Sequence, residues 1–335
     1  MLTAIVVLRL LAASQVALSV AALASSSNPL RVRVMSTALA IGVVAYLVVP
    51  IAAEQGATMT VQVFALTAEL IPLLLFGFTW SVFEDSPRLV RTLACAGFIY
   101  VAAALWVTLN RGSMPILPLV LQFAKLALAI AAIYVIWKGR EEDLVEARLR
   151  LRPAFMAGLA LAVVVVVSVE LVARWQVPAL IEVVGMGVIL LLSFAINLAF
   201  LKFNPAFALV ATAAKPALLR SPDPIIAELL RSMTEERLYA EHGLRIGELA
   251  RRLKVSEHQL RRAINRQLGH RNFSQFINRY RLEEAAQRLI SEPRTPVLTL
   301  ALDVGFRSMS SFNTAFRAQF GTAPTAYRAR ALSNS

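Results

Sequence analysis

Seven stretches of this chain are each long and apolar enough to cross a bilayer, and no other feature limits its fold as much. Crossing the hydrocarbon core takes about 20 mostly apolar residues in a helix, because backbone in lipid must satisfy its own hydrogen bonds. The stretches are residues 2–24, 34–53, 59–82, 89–109, 115–137, 154–174 and 179–201. Short polar segments such as Ser25–Pro29, Glu54–Gly56 and Glu84–Pro87 part them, so consecutive helices are expected to be antiparallel neighbours. Composition agrees, with 58% apolar and 16% charged residues against about 45–50% and about 25% in ordinary globular domains. Seven core helices of a large soluble protein are the competing reading, and the number of runs near spanning length tells against it.

Lys and Arg accumulate in cytoplasmic loops, which gives the orientation. The odd-numbered loops carry nine: Arg31, Arg33, Arg88, Arg91, Lys138, Arg140, Arg148, Arg150 and Arg152. The even-numbered loops carry two, Arg111 and Arg174. Seven spans then put the N-terminus outside and the C-terminus in the cytoplasm, as a multi-pass membrane protein. Ala22-Leu23-Ala24 looks like a signal-peptidase site. Yet no positive residue precedes the first run, Arg9 interrupts it, and cleavage would leave the C-terminal part outside. An uncleaved first helix is preferred, with a signal peptide as the alternative. Trp80, Trp106, Trp137 and Trp175 fall near run ends, where interfacial anchors belong.

After the runs the chemistry changes. Residues 221–335 hold 18 Lys+Arg and 11 Asp+Glu, against 16 and 10 in the 220 residues before them. A compact, basic, soluble piece points to a polyanionic partner, nucleic acid or anionic lipid. Its patterns are helical. Ile246, Leu249, Ala250 and Leu253 make one buried face, followed by a break at Lys254-Val255. Ser256 and Gln259 make a capping box, Leu260, Ile264 and Leu268 a second buried face, and Gly269 a C-cap. His258, Gln259, Arg261, Arg262, Asn265 and Arg266 are left on or near the open face. Two short helices, a tight turn and Arg, Gln and Asn facing outward make a helix-turn-helix, since Arg pairs with guanine and Gln or Asn with adenine in the major groove. A solvated basic helix is the bland alternative.

The design repeats. A short helix over Thr299–Phe306 ends at Gly305, Ser308 caps a helix over Met309–Phe320, and Gly321 closes it. Phe312, Phe316 and Phe320 are expected in the core, because so many exposed aromatics would be a liability. Arg307, Ser310, Asn313, Thr314 and Arg317 are left facing outward. A connecting helix from Phe273 to about Ile290 is roughly 27 Å long. One DNA turn is about 34 Å, so such a rod can hold two recognition helices in successive major grooves.

These residues resemble the AraC/XylS family of transcription regulators. The resemblance is carried by Leu249-Ala250, Asn272-Phe273, Phe276-Ile277-Asn278, Arg281, Ala285, Ala301, Gly305-Phe306, Ser311-Phe312-Asn313, Phe316, Gly321–Pro324 and Tyr327-Arg328. It implies two DNA-binding units over residues 225–330, with Gln259, Arg261, Arg262 and Arg266 as first-unit contacts and Ser310, Asn313 and Arg317 as second-unit contacts. Many relatives have Ser where this chain has Arg261, so the base preference does not carry over. The family's usual soluble ligand-binding domain is replaced by the apolar runs, as in its membrane-bound subgroup, which this chain resembles.

The expected architecture is therefore all-α: a seven-helix transmembrane bundle (1–201), a Pro-containing linker (202–224) and a soluble double helix-turn-helix domain (225–330). Ionisable residues inside spans are candidates for sensing. Glu69 and Lys125 lie mid-span and can pair, with Pro72 placed to kink the helix beside Glu69; Arg9, Glu170, Arg174 and Glu182 lie toward the outer ends. They make either a polar pocket for a small signal molecule or structural ion pairs and snorkelling side chains. Gly185-Met186-Gly187 permits a close helix approach, weak support for a homodimer. The expected partners are double-stranded DNA, membrane lipids, a small-molecule effector and a second copy of the chain. No cofactor or metal is expected: the single cysteine, Cys95, and His242, His258 and His270 have no metal-ligand spacing. An intramembrane enzyme is not expected either, for want of a Ser/His/Asp set, an HExxH motif or paired carboxylates on one predicted helix face. A transporter or channel with a regulatory tail is the remaining alternative, although no internal repeat is visible.

Overall fold

A computed structural model describes residues 2–24, 29–54, 58–84, 90–110, 116–173, 183–191, 193–194 and 224–333. Among these, the regular elements are helical, and one isolated antiparallel bridge joins Asp143 to Asn272. The chain divides into two compact units, Met1–Arg140 with Ala147–Thr212, and Glu141–Glu146 with Ala213–Ser335. The second unit thus takes in a six-residue piece from far upstream. The expected linker lies outside the described residues up to residue 223.

The first unit contains α1 (Leu2–Ala24), α2 (Leu30–Glu54), α3 (Thr58–Glu69), α4 (Ile71–Phe83), α5 (Val90–Leu109), α6 (Ile116–Lys138), α7 (Glu146–Ala173) and α8 (183–191). Two helices among the described residues, Leu30–Ala53 and Ile116–Lys138, are long and apolar enough to cross a membrane, and α3 with α4 makes a third if that bent pair is one span. Ala4–Ser19 and Cys95–Leu109 are shorter apolar helices. The expected run 179–201 is described only over 183–191 and 193–194. The run expected over 59–82 is broken at Leu70, with a bend of 41° between α3 and α4. Pro72 explains the break: it has no N–H for the carbonyl of Ala68, and its ring collides with that turn.

Val32, Phe76, Val82, Phe83, Ala132, Ile136 and Leu159 form one core of this unit, where α2, α4, α6 and α7 meet. Ile5, Ala12, Leu47 and Met186 form another. Outside these cores Phe98, Ile99, Ile116 and Phe123 stand 65–76% exposed. Large apolar side chains are thus left uncovered on α5 and α6.

The second unit contains α9 (Pro224–Thr234), a 3-10 turn (Leu238–Ala240), α10 (Ile246–Arg252), α11 (Glu257–Leu268), α12 (Phe273–Ser291), α13 (Val297–Asp303), α14 (Met309–Phe320) and α15 (Pro324–Ser333). It has two cores, and α12 serves both. Phe273, Phe276 and Ile277 pack with Leu229, Leu249, Leu260 and Ile264. Leu282, Ala285, Ala286 and Leu289 pack with Leu300, Ala301, Phe312 and Phe316. Each fully buried Leu, Ile or Phe contributes about 1.5–3 kcal/mol of transfer free energy. Leu144, only 1% exposed, belongs to the first of these cores.

Candidate nucleic-acid interface

Local sequence sets α10 and α11 against each other. Leu249 and Ala250 pin α10 to the core. The chain then reverses through Lys254, in the left-handed region at φ 55°, and the Val255 N–H donates to the Ala250 carbonyl at 3.0 Å. Ser256 opens α11 with the expected capping box, accepting from the Gln259 N–H at 3.3 Å while the Gln259 carboxamide oxygen accepts from the Ser256 N–H at 3.1 Å. Gly269, at φ 74°, closes the helix in a conformation that costs a residue with a Cβ about 1–2 kcal/mol.

Burying Leu260, Ala263 and Ile264 turns the other side of α11 outward. His258, Gln259, Arg262 and Arg266 are exposed; Arg261 and Asn265 are half-buried. His258, Arg262 and Arg266 are four residues apart and so form one stripe. Three of the expected contacts are engaged within the protein. The Gln259 oxygen serves the cap, which leaves its amide group to donate. Asn265 donates to the His270 carbonyl at 2.9 Å, tying the end of α11 to the next loop. Arg261 donates to the carbonyls of Asp143 at 2.6 Å and Glu141 at 2.9 Å, and to the Glu257 carboxylate at 3.1 Å.

The second unit of the motif follows the same logic. Ser308 caps α14 by accepting from the Ser311 N–H at 3.2 Å. Phe312 and Phe316 are fully buried, with ring centroids 5.4 Å apart, and Tyr327 of α15 meets Phe316 edge-on at 5.4 Å. The aromatic stripe is therefore core. Arg307, Ser310, Thr314 and Arg317 are exposed and Asn313 half-buried.

Arg281 joins the two motifs, a role that the sequence reading did not assign. It lies on the buried face of α12, in step with Ile277, Ala285 and Leu289 at four-residue spacing. Its Nε donates to the Tyr239 carbonyl at 2.6 Å and its Nη2 to the Glu241 carbonyl at 2.8 Å. Its guanidinium lies 5.7 Å from the centroid of the Phe306 ring. Burial, with the charge of Arg307 adding to it, brings the Arg281 pKa down to about 10. Gly305 makes room for this joint: at φ 95° it tolerates few side chains, and a Cβ there would strike the Ala240 carbonyl and Arg281 Nε. Arg288 ties α12 to α13, donating to Asp303 at 3.0 Å and to Glu292 at the end of α12 at 2.7 Å.

In the first unit Lys125 and Glu69 form an ion pair at 2.9 Å beside the α3–α4 break, and the Tyr100 hydroxyl donates to the Glu69 carbonyl at 2.8 Å. Arg9 is buried and donates to the Leu47 carbonyl at 3.4 Å. The side chain of Glu170 and the residues Arg174 and Glu182 lie outside the described residues. Among the described residues no cluster of His, Cys, Asp and Glu is suited to hold a metal ion.

Comparison with known proteins bears on the C-terminal third. A family model described as a helix-turn-helix domain matches residues 249–330. Regulatory protein SoxS of Escherichia coli strain K12 is 31% identical over 110 residues, which cover 33% of this chain and 98% of that protein. Regulatory protein SoxS of Salmonella typhimurium strain LT2 is 30% identical over the same length and coverage. No solved structure matches significantly. Regulators of this kind bind DNA and are not enzymes. By its helix-turn-helix motifs and by these relatives, which it covers almost end to end, the chain belongs to the AraC/XylS family of transcription regulators.

Proposed function

We propose that this chain is a membrane-anchored, sequence-specific transcription regulator of the membrane-bound AraC subgroup. Residues 1–201 form a seven-span bundle in a bacterial inner membrane, with the N-terminus outside. Residues 202–224 are a linker, and residues 225–330 bind double-stranded DNA in the cytoplasm. The observation that carries this reading is the pair of braced helices α11 and α14, each buried on one side and presenting exposed Arg on the other: Arg262 and Arg266 on the first, Arg317 on the second. Exposed apolar residues such as Phe98 and Phe123, and the Lys/Arg bias of the loops, support the membrane part.

The chain acts as a one-component sensor. A signal from the membrane or outside alters the bundle, or its pairing with a second copy, and the tethered domain changes its hold on a promoter. Two tethered copies raise the local concentration at paired sites. Glu69 and Lys125 are the sensing residues that the geometry favours, since their ion pair flanks a broken span; a small polar effector competing for either charge would shift that break. Arg9, Glu170, Arg174 and Glu182 complete the candidate set. The test of the DNA-binding reading is the salt dependence of duplex binding by the full chain in lipid nanodiscs. Binding that falls steeply between low and moderate salt is expected, and no binding at low salt would overturn it.

A further inference from the structure

Residues Glu141–Glu146, an acidic stretch reading Glu-Glu-Asp-Leu-Val-Glu between α6 and α7, pack as part of the DNA-binding unit. Leu144 is the anchor, buried to 1% exposure in a core that includes Leu260, Ile264, Phe273 and Phe276. Backbone pairing fixes the register: Leu144 N–H donates to the Arg271 carbonyl at 2.9 Å, and Phe273 N–H to the Glu142 carbonyl at 2.8 Å. These bonds flank the Asp143–Asn272 bridge. Above the anchor, the carbonyls of Asp143 and Glu141 hold the Arg261 guanidinium, which is left 14% exposed. The Glu141 carboxylate stands 3.8 Å from Arg245, and that of Glu146 stands 3.8 Å from His258.

Apart from the core residues Leu260 and Ile264, the partners of this segment on α11 are Arg261 and His258, two of the expected DNA contacts. Two carbonyl oxygens meet one guanidinium in the way that guanine O6 and N7 meet an arginine, and the Glu141 and Glu146 carboxylates lie beside two further basic side chains. We propose that residues 141–146 are an intramolecular strap that engages Arg261 and His258 at one edge of the reading face of α11, beside the exposed Arg262 and Arg266, and so weakens the hold of the first helix-turn-helix unit on DNA. The strap is continuous with α6 at one end and α7 at the other, so a rearrangement of those two helices is the event that releases it. This rests on the reading of α11 as a DNA-reading helix. Because the strap is tethered, it competes at high effective concentration. Apparent DNA affinity is then the affinity of the open form multiplied by the fraction of molecules in which the strap is open. The coupling is reciprocal: bound DNA favours the open strap, and so favours the arrangement of α6 and α7 that goes with it.

The test locks the strap reversibly. Residues facing each other across a bridge of this type have Cα atoms about 4.5 Å apart, within disulfide reach. Full-length D143C/N272C protein, in a C95S background to remove the single native cysteine, is assayed in nanodiscs against a 30-base-pair duplex pool of randomised sequence, oxidised and then reduced. The oxidised form is expected to bind at least about tenfold more weakly than the same sample after reduction. A second variant, L144D, expels the anchor and is expected to bind more tightly than the parent. Equal affinity of the oxidised and reduced forms, with DNA bound by both, overturns the strap and leaves the DNA-binding reading standing. Absence of binding by every form at low salt overturns the DNA-binding reading, and the strap with it.

Discussion

Arg281 lies 2.6 Å from the Tyr239 carbonyl, on a helix whose two halves serve different cores. A guanidinium buried between two helix-turn-helix units is costly to desolvate, and its pKa of about 10 reflects that cost. Two carbonyls and the Phe306 ring offset it and fix the joint. Replacing Arg281 by Ala leaves the carbonyls of Tyr239 and Glu241 without their donor. The expected loss is about 3 kcal/mol, at about 1.5–3 kcal/mol for each bond to a charged group less what water recovers. Lys should rescue only in part, since one ammonium cannot serve both carbonyls in the planar geometry of Arg. Hydrogen exchange of both motifs in the full chain is the measurement, and unchanged protection in the Ala variant would contradict the role.

The exposed arginines should divide by what they read. Arg262→Ala and Arg317→Ala are each expected to weaken duplex binding. A variant that loses a base contact relaxes preference at one position by about 1–3 kcal/mol, whereas one that loses a phosphate contact lowers the salt slope by about one unit. Binding and salt titration of each variant make the distinction. If both titrate like the parent, the exposed faces of α11 and α14 do not enter the grooves.

His270 gives a pH dependence. Burial, reinforced by the charge of Arg279, holds its imidazole below the ordinary range, and its ring meets Phe276 at 5.2 Å. The neutral form is favoured in the fold, so the unfolded chain takes up this proton first as pH falls. Stability is therefore expected to decline below about pH 6.5 and to level off below the folded value. Exposed Glu228 and half-buried Glu292 act in a lower window. Hydrogen bonds from Arg231 and Arg288 hold their carboxyls below the usual 4.5, so their contribution is lost as pH falls below that value. Unfolding midpoints of the parent and of His270→Phe between pH 7 and 5 test this: the variant should lose the slope, and a retained slope would assign it elsewhere.

The Glu69–Lys125 pair should show coupling. Removing one partner leaves the other charge in an apolar surrounding, whereas removing both does not. Lys125→Met and Glu69→Gln are each expected to impair folding or signal response more than the double variant does. Additive single effects in a double-mutant cycle would mean that the pair, though 2.9 Å apart, has no energetic consequence.

Most of the helix-turn-helix architecture was legible because its signals are local. Ser256 with Gln259, the Ser308 cap, Gly269, and Phe312, Phe316 and Phe320 at four-residue spacing all act within one or two turns. Pro72 marked the break beside Glu69 for the same reason. What face geometry could not reveal was which outward residues are already engaged. Gln259 and Asn265 are turned to local backbone. Arg261 is held by a segment 118 residues earlier, and no periodicity reports a contact across that distance. Arg281 carried a usable signal, since helical spacing puts it on the buried face of α12, where an arginine must be held by acceptors.

The most direct measurement is the side of the membrane on which the chain ends. A reporter that works only in the cytoplasm, fused after Ser335, should be active, and its periplasmic counterpart inactive. That result places α11 and α14 where DNA is. The reverse result would mean that the double helix-turn-helix domain never meets a promoter, and it would contradict a membrane-tethered regulator outright.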